Sequence, residues 1–96
     1  MTIIIRPLRS DELPELYKLM ASLFPSENQD VGESDIVFIA EIKGEIVGFV
    51  RFSKQQERIT LNGLGVKEEY RQKGIGKRLL IKSLRSLPRD VPIYLR

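Results

Sequence analysis

The segment that most constrains this chain is a basic, glycine-containing run at positions 71–78, Arg-Gln-Lys-Gly-Ile-Gly-Lys-Arg. A β-rich run at 58–66 precedes it, and a helical pattern of leucines follows it. Gly74 and Gly76 lack Cβ atoms where the backbone turns, so successive N–H groups can converge on one anion. The helix adds unpaired N–H donors and the positive end of its dipole. The segment therefore predicts a strand, a glycine loop and a helix N-terminus that together bind a pyrophosphate.

Two familiar phosphate-binding loops do not fit this segment. The Walker loop needs a serine or threonine after its lysine to bind magnesium, and here Arg78 follows Lys77. The Rossmann loop needs a third glycine and a ribose-binding acid about 20 residues further on, and neither is present. The anion site predicted here consists of backbone N–H groups, to which Lys73, Lys77 and Arg78 add mobile positive charge.

The rest of the chain predicts a mixed sheet with helices packed on it, an α/β (α+β mixed sheet) fold. A chain of 96 residues is enough for a single domain, spanning residues 1–96, with one core. The predicted order is β-α-β-β-β-α-β, with strands at 2–6, 36–42, 45–52, 58–66 and 91–95, and helices from an N-cap at Asp11 to Pro25 and over 73–87. The last β-α-β unit predicts two parallel strands joined by a right-handed crossover. The hairpins predict antiparallel pairing.

Cysteine and histidine are both absent from the sequence. Their absence excludes disulfides, a thiolate nucleophile, a histidine acid or base and a cysteine–histidine zinc site, so no metal is expected. No apolar run approaches the roughly 18 residues of a transmembrane helix, and the N-terminal aliphatic run is too short for an export signal. We therefore expect a cytoplasmic protein that does not enter a membrane.

The motif Arg71-x-x-Gly74-x-Gly76 follows a strand that ends Leu64-Gly65-Val66. In this arrangement it resembles the acetyl-CoA loop of the GNAT N-acetyltransferase superfamily. The likeness extends along most of the chain in the family's order. It includes Ile-Arg-Pro-Leu before the first helix, Glu-Ile-Val-Gly-Phe on the second hairpin strand and Ile-Tyr-Leu on the last strand.

The resemblance implies an acetyl-CoA-dependent N-acetyltransferase, in which a primary amine of a small molecule or protein attacks the acetyl group directly. It implies that the backbone groups of Leu64 and Val66 pair with the pantetheine arm like an added strand, and that Gly65 between them also belongs to the cofactor-binding residues. It also implies that the loop holds the pyrophosphate through Arg71, Gln72, Lys73, Gly74, Ile75, Gly76, Lys77 and Arg78. The thioester is expected where the strands at 58–66 and 91–95 splay apart, with a backbone N–H near Leu64 facing the acyl oxygen.

The sequence departs from the family pattern in two respects. It ends just after the strand that matches the family's fifth, so the usual last helix and two strands are lacking. Family members often place a glutamate base on the strand that matches 58–66, and this strand shows Thr60 and Asn62 instead. Asn62, Glu57 and Tyr94 are the catalytic candidates, and none is assigned as the general base or acid. A CoA-binding regulatory module without turnover remains the alternative.

Charge is divided along the chain. The first 48 residues carry four basic and nine acidic side chains, whereas the last 48 carry twelve basic and four acidic. The acidic residues Glu27, Asp30, Glu33 and Asp35 either attract a cationic amine or serve solubility. Nucleic-acid binding is disfavoured because no aromatic residues interleave with the basic ones on the second helix.

The last predicted strand, at 91–95, indicates a partner of a different kind. No later segment of this sequence covers its far edge, and an uncovered strand edge invites pairing with another chain. We therefore expect a homodimer, with the monomer as the alternative.

Overall fold

A five-stranded sheet in the order β1-β2-β3-β4-β5 separates two helices in this computed structural model, which describes residues 2–26 and 30–95. Strands β1 to β4 pair antiparallel, and β5 pairs parallel to β4. The antiparallel hairpins and the parallel last strand are as predicted. The elements follow the predicted order: β1 (Ile4–Pro7), α1 (Leu13–Leu23), β2 (Asp35–Ile42), β3 (Glu45–Gln55), β4 (Arg58–Val66), α2 (Ile75–Ser86) and β5 (Ile93–Leu95).

Each face of the sheet is covered by one helix because the side chains of β2 and β3 alternate between two apolar clusters. Leu16 and Met20 of α1 pack with Phe49 on one face. Leu79 of α2 packs with Phe52 on the other. Met20, Phe38, Phe49 and Phe52 are buried, whereas Tyr17 and Phe24 are only half-buried. The core therefore has two parts, one on each face of the sheet.

Several predicted boundaries are wrong. Strand β1 spans Ile4–Pro7 rather than 2–6, and β3 continues to Gln55 rather than ending at residue 52. Asp11 does not cap α1: it lies in a 3₁₀ turn, Ser10–Glu12, and Glu12 is the N-cap. Helix α2 starts at Ile75 rather than at residue 73, because Gly74, its N-cap, has the left-handed φ of 77°. Strand β5 starts at Ile93 rather than at residue 91, just after Pro92, which has no N–H for a ladder.

Glu12 stands at the centre of an ion cluster that ties the start of α1 to the sheet. Its carboxylate accepts hydrogen bonds from Arg6 at 2.8 and 2.6 Å and from the Arg9 N–H at 2.9 Å. Arg6 also donates to Glu41 on β2. The hydrogen bonds from Arg6 lower the pKa of Glu12 to about 2.

We expect the free energy of unfolding to depend less on pH in the acid range in Glu12→Gln than in the wild type. A lowered folded-state pKa adds stability above the unfolded pKa of about 4.3, and this stability is lost as the pH falls towards 2. Urea denaturation from pH 6 to pH 2 measures this loss. The free energy of unfolding should fall more steeply with decreasing pH in the wild type than in Glu12→Gln. Glu57→Gln in the exposed β3–β4 turn is the control, and equal slopes in the wild type and Glu12→Gln would contradict the prediction.

Candidate functional site

Strands β4 and β5 pair only at one end. Their register joins Ile59, Thr60 and Leu61 to residues 93–95. Beyond Leu61, no described strand lies on that side of β4. Residues 62–66 of β4 therefore form an uncovered strand edge, here called the open edge, on the side of the sheet away from β3.

A β-bulge at Asn62 decides which backbone groups face the open edge. On β3, Phe52 pairs with Leu61 and Arg51 pairs with Gly63, so Asn62 is the extra residue. The Ile59 N–H donates to the Pro92 carbonyl, so it points away from β3. In an antiparallel pair, successive residues of a strand turn their N–H and C=O groups alternately towards the partner strand and away from it. The extra residue at the bulge shifts this alternation by one, so the N–H and C=O groups of Leu64 and Val66 face the open edge. Without the bulge, Gly63 and Gly65 would face it instead.

Arg71 joins the open edge to the glycine loop. Its Nε donates to the carbonyl of Val66, the last residue of β4, at 3.0 Å. This bond uses one of the edge's acceptors and fixes where the loop leaves the strand. Arg71 therefore has a positioning contact in this structure.

The backbone of residues 72–77 carries N–H groups that are suited to bind an anion. Gln72 and Gly74 have left-handed φ values of 65° and 77°, the alternation that makes neighbouring N–H groups converge. The helical hydrogen bonds of α2 begin at Arg78, whose N–H donates to the Gly74 carbonyl at 3.0 Å. The preceding N–H groups, of residues 75–77, have no intrahelical acceptor.

Space above this loop is open. A Cβ added to Gly74 would meet no heavy atom within 4 Å, and one added to Gly76 would meet only Val66 Cγ2, at 3.8 Å. The side chains of Lys73 and Lys77 are exposed beside the loop. The N–H groups, the open space and the two cations fit a phosphate or pyrophosphate group.

Three predicted binding residues have other contacts. The side chain of Ile75 is buried in the core, so only its backbone is available to a ligand. Arg78 lines a groove between α2 and β1 together with Ile4 and Ile81, on the helix flank opposite Gly76. A Cβ on Gly65 would lie 2.8 to 3.1 Å from its nearest side chains, which belong to Leu23, Phe49 and Phe24. The structure thus gives Gly65 a packing role.

Two of the three catalytic candidates lie far from the middle of the open edge. Glu57 is exposed in the β3–β4 turn, seven residues before Leu64, or about 23 Å along an extended strand. Tyr94 pairs with Thr60, and the guanidinium of Arg58 stacks 4.8 Å from its ring centroid. Asn62 alone lies at the open edge.

A polar network on β2, β3 and β4 was not predicted from the sequence. The Asp35 carboxylate, with a side chain only 7% exposed, accepts from Arg51 at 2.9 Å and from Ser53 Oγ at 3.1 Å. The Asn62 side-chain amide donates to Ser53 Oγ. These residues come together only through the pairing register of the three strands. One signal was present in the sequence: Asp35 is an ionisable residue at the start of an apolar strand, and such a residue needs a partner when it is buried.

The same network changes the interpretation of the acidic loop. Asp35 is held by Arg51 and Ser53 and is not free to attract an amine. Arg51 also donates to the Asp30 carbonyl at 2.5 Å. Glu33 is exposed, and Glu27 lies outside the described residues.

In the described ranges, no three acidic side chains lie close enough together to hold a metal ion. Neither helix there is long and apolar enough to cross a membrane.

Solved structures of acetyltransferases have the same fold. The ribosomal-protein-alanine N-acetyltransferase from Brucella melitensis biovar Abortus gives a TM-score of 0.82 at 20% identity, over 100% of this chain and 80% of that one. Arabidopsis thaliana NAA60, in complex with a bisubstrate analogue, gives 0.77 at 25% identity, over 98% and 73%. AAC(6')-Iy, in complex with CoA-S-monomethyl-acetylneamine, gives 0.77 at 19% identity, over 100% and 80%.

These comparisons show that the chain has the fold of these acetyltransferases. A sequence profile of the acetyltransferase (GNAT) family matches residues 4–91, and the chain belongs to this family. A search of curated proteins found none with significant similarity.

Proposed function

We propose that this chain binds acetyl-CoA along the open edge and the glycine loop, and that it transfers the acetyl group to a primary amine. One observation carries the proposal: the open edge of β4 leads directly into a loop of unpaired N–H groups. A linear ligand with amide groups at one end and a pyrophosphate at the other matches this arrangement, with the amides along the open edge and the pyrophosphate at the N–H groups of the loop. Membership in an acetyltransferase family supports the same assignment.

Each part of the site has a separate task in binding. The N–H groups of Leu64 and Val66 and the C=O of Leu64 are suited to pair with the pantetheine arm as a neighbouring strand would. The N–H groups of residues 75–77 and the positive end of α2 are suited to the pyrophosphate. Lys73 and Lys77 add a screened attraction.

The chain's own residues suit direct transfer. Bound acetyl-CoA supplies a thioester whose carbonyl carbon an amine attacks. A backbone N–H near Leu64 would stabilise the negative charge that develops on the acyl oxygen. The sequence holds no cysteine or histidine, so we expect no acetylated cysteine or histidine on the enzyme and a single transfer step.

Release of CoA thiol in the presence of different amines tests this function. The panel contains an aminoglycoside, a peptide with an N-terminal alanine, a lysine peptide and a polyamine, and calorimetry measures acetyl-CoA binding in parallel. We expect acetyl-CoA to bind and at least one amine to be acetylated. Absence of binding would refute the whole proposal.

Binding without transfer to any amine would instead support a CoA-binding regulatory module. The observation that favours this second candidate is chemical: among the described residues, no carboxylate side chain belongs to the open edge, where an amine must lose its proton. A gel shift at physiological salt tests the least favoured class, a nucleic-acid-binding domain. A cytoplasmic location stays a prediction.

We also propose that two copies associate through β5. Among the described strands, none pairs with the outer edge of β5, and Tyr94 on it is 49% exposed. Sedimentation equilibrium at micromolar concentration should give twice the chain mass of 11.1 kDa. A single species of the chain mass, with and without CoA, would contradict the dimer.

A further inference from the structure

We infer that Asn62 positions the acceptor amine through its side-chain carbonyl, and that Asp35 imposes this orientation through Ser53. The inference rests on the proposed function, because it concerns the amine that this function requires. It assigns Asn62 the contact with the amine and makes Ser53 and Asp35 positioning residues.

The direction of the hydrogen-bond chain follows from the number of protons available. The Asp35 carboxylate is ion-paired with Arg51, and an ionised carboxylate only accepts. Ser53 Oγ therefore gives its single proton to Asp35 Oδ1, at 3.1 Å. The hydroxyl can then only accept from Asn62, so Asn62 must turn its NH₂ group towards Ser53. Its carbonyl, Oδ1, is left pointing away from Ser53.

The free carbonyl is accessible from outside. No described residue donates a hydrogen bond to Asn62 Oδ1, and in the described part of the chain every buried side-chain nitrogen or oxygen has a partner. Oδ1 is therefore in contact with solvent. Asn62 is the bulged residue where the open edge begins, so its backbone directly precedes the strand positions proposed for the thioester arm.

A carbonyl at this point suits an amine for a chemical reason. It accepts one N–H of the amine and leaves the nitrogen lone pair free to attack the acyl carbon. An asparagine does not titrate, so it orients the amine without taking its proton. The effect of Asn62 should therefore appear in the KM for the amine and in kcat, while the pH dependence stays unchanged.

The first test is spectroscopic and needs no substrate. In ¹⁵N-labelled protein, the side-chain amide of Asn62 is assigned as the signal lost in Asn62→Leu. We expect its protons to exchange slowly with water in the wild type and in Ser53→Thr, and rapidly in Ser53→Ala. Exchange that is equally fast in the wild type and in Ser53→Ala would overturn the inferred direction.

The second test uses the amine that the wild type acetylates best in the panel above. Asn62→Leu should lower kcat/KM for that amine about 10- to 100-fold, and Ser53→Ala about three- to tenfold, with the KM for acetyl-CoA unchanged. Ser53→Thr should restore the activity, because it keeps the hydroxyl. Thr60→Val is the control, because it removes a hydroxyl from β4, the strand of Asn62, at a residue outside the network.

The outcomes separate the inference from the proposed function. If the wild type acetylates an amine and Asn62→Leu does so equally well, the inference is overturned and the function stands. A changed pH optimum in Asn62→Leu would also overturn it, because orientation alone does not shift a titration. If no amine is acetylated, the function and the role of Asn62 towards an amine both fail, and the exchange experiment alone decides the hydrogen-bond direction.

Discussion

Gly74→Val should reduce the affinity for acetyl-CoA by at least about 100-fold, which corresponds to roughly 3 kcal/mol. Gly74 has a φ of 77° and opens onto the space where the pyrophosphate is proposed to lie. A β-branched side chain opposes that φ and fills that space, so the N–H groups would be displaced and screened at once. Gly76→Val should act in the same direction through bulk alone. Calorimetric titration of acetyl-CoA into each variant measures the loss.

The chain offers a matched control for backbone strain. Gly44, in the β2–β3 turn, has a φ of 81° and equally open surroundings. Gly44→Val should therefore cost the same strain, about 1–2 kcal/mol of stability, and leave acetyl-CoA affinity unchanged. Circular dichroism confirms that each variant is folded. If Gly74→Val and Gly76→Val, both folded, bind like the wild type, the loop is not the phosphate site.

Arg51→Met should destabilise the protein by about 2–4 kcal/mol, because it leaves the buried Asp35 carboxylate without its ion pair. The side chains of Arg51 and Asp35 are only 16% and 7% exposed. The change also removes the bond from Arg51 to the Asp30 carbonyl, which holds the segment before β2 against β3. Urea denaturation gives the free energy of unfolding.

Arg58→Met is the matched control on the neighbouring strand, where the guanidinium stacks on exposed Tyr94. It should cost less than about 1 kcal/mol. The double variant Arg51→Met/Asp35→Leu should be more stable than Arg51→Met alone, because no buried charge is left unpaired. Strictly additive losses in the double variant would show that the pair does not act as a unit.

Much of the fold could be predicted from local patterns. Apolar residues recur with helical spacing at Leu16 and Met20 in α1 and at Ile75 and Leu79 in α2, and Lys43-Gly44 separates two β-rich runs. Periodicity and turn residues are local properties of a chain, so the element order and the parallel last strand followed from them. The helix starts were misplaced because the cap depends on contacts outside the helix. Arg6 and Arg9 take up the carboxylate of Glu12, and a left-handed Gly74 delays α2.

The loop of the candidate site was predictable for the same reason, since glycines, cations and a helix start lie within eight residues. Its strand half was only partly predictable. Leu64 and Val66 face the open edge because the bulge at Asn62 shifts the alternation by one, and a bulge depends on the register with β3. Gly65 was assigned to the ligand because its packing against Leu23, Phe24 and Phe49 spans distant segments.

The sequence by itself therefore determined the class of fold, the glycine loop proposed to bind phosphate, and the family, each from residues close together along the chain. The tertiary structure alone decided which backbone and side-chain atoms lie at the open edge. It placed Glu57 in the β3–β4 turn and Tyr94 opposite Thr60, where β4 and β5 pair, and left Asn62 at the start of the open edge. It also linked Asp35 to Asn62 through Ser53 across three strands. The physical reason is that hydrogen-bond direction and strand register are set by pairing between segments, which no local pattern specifies.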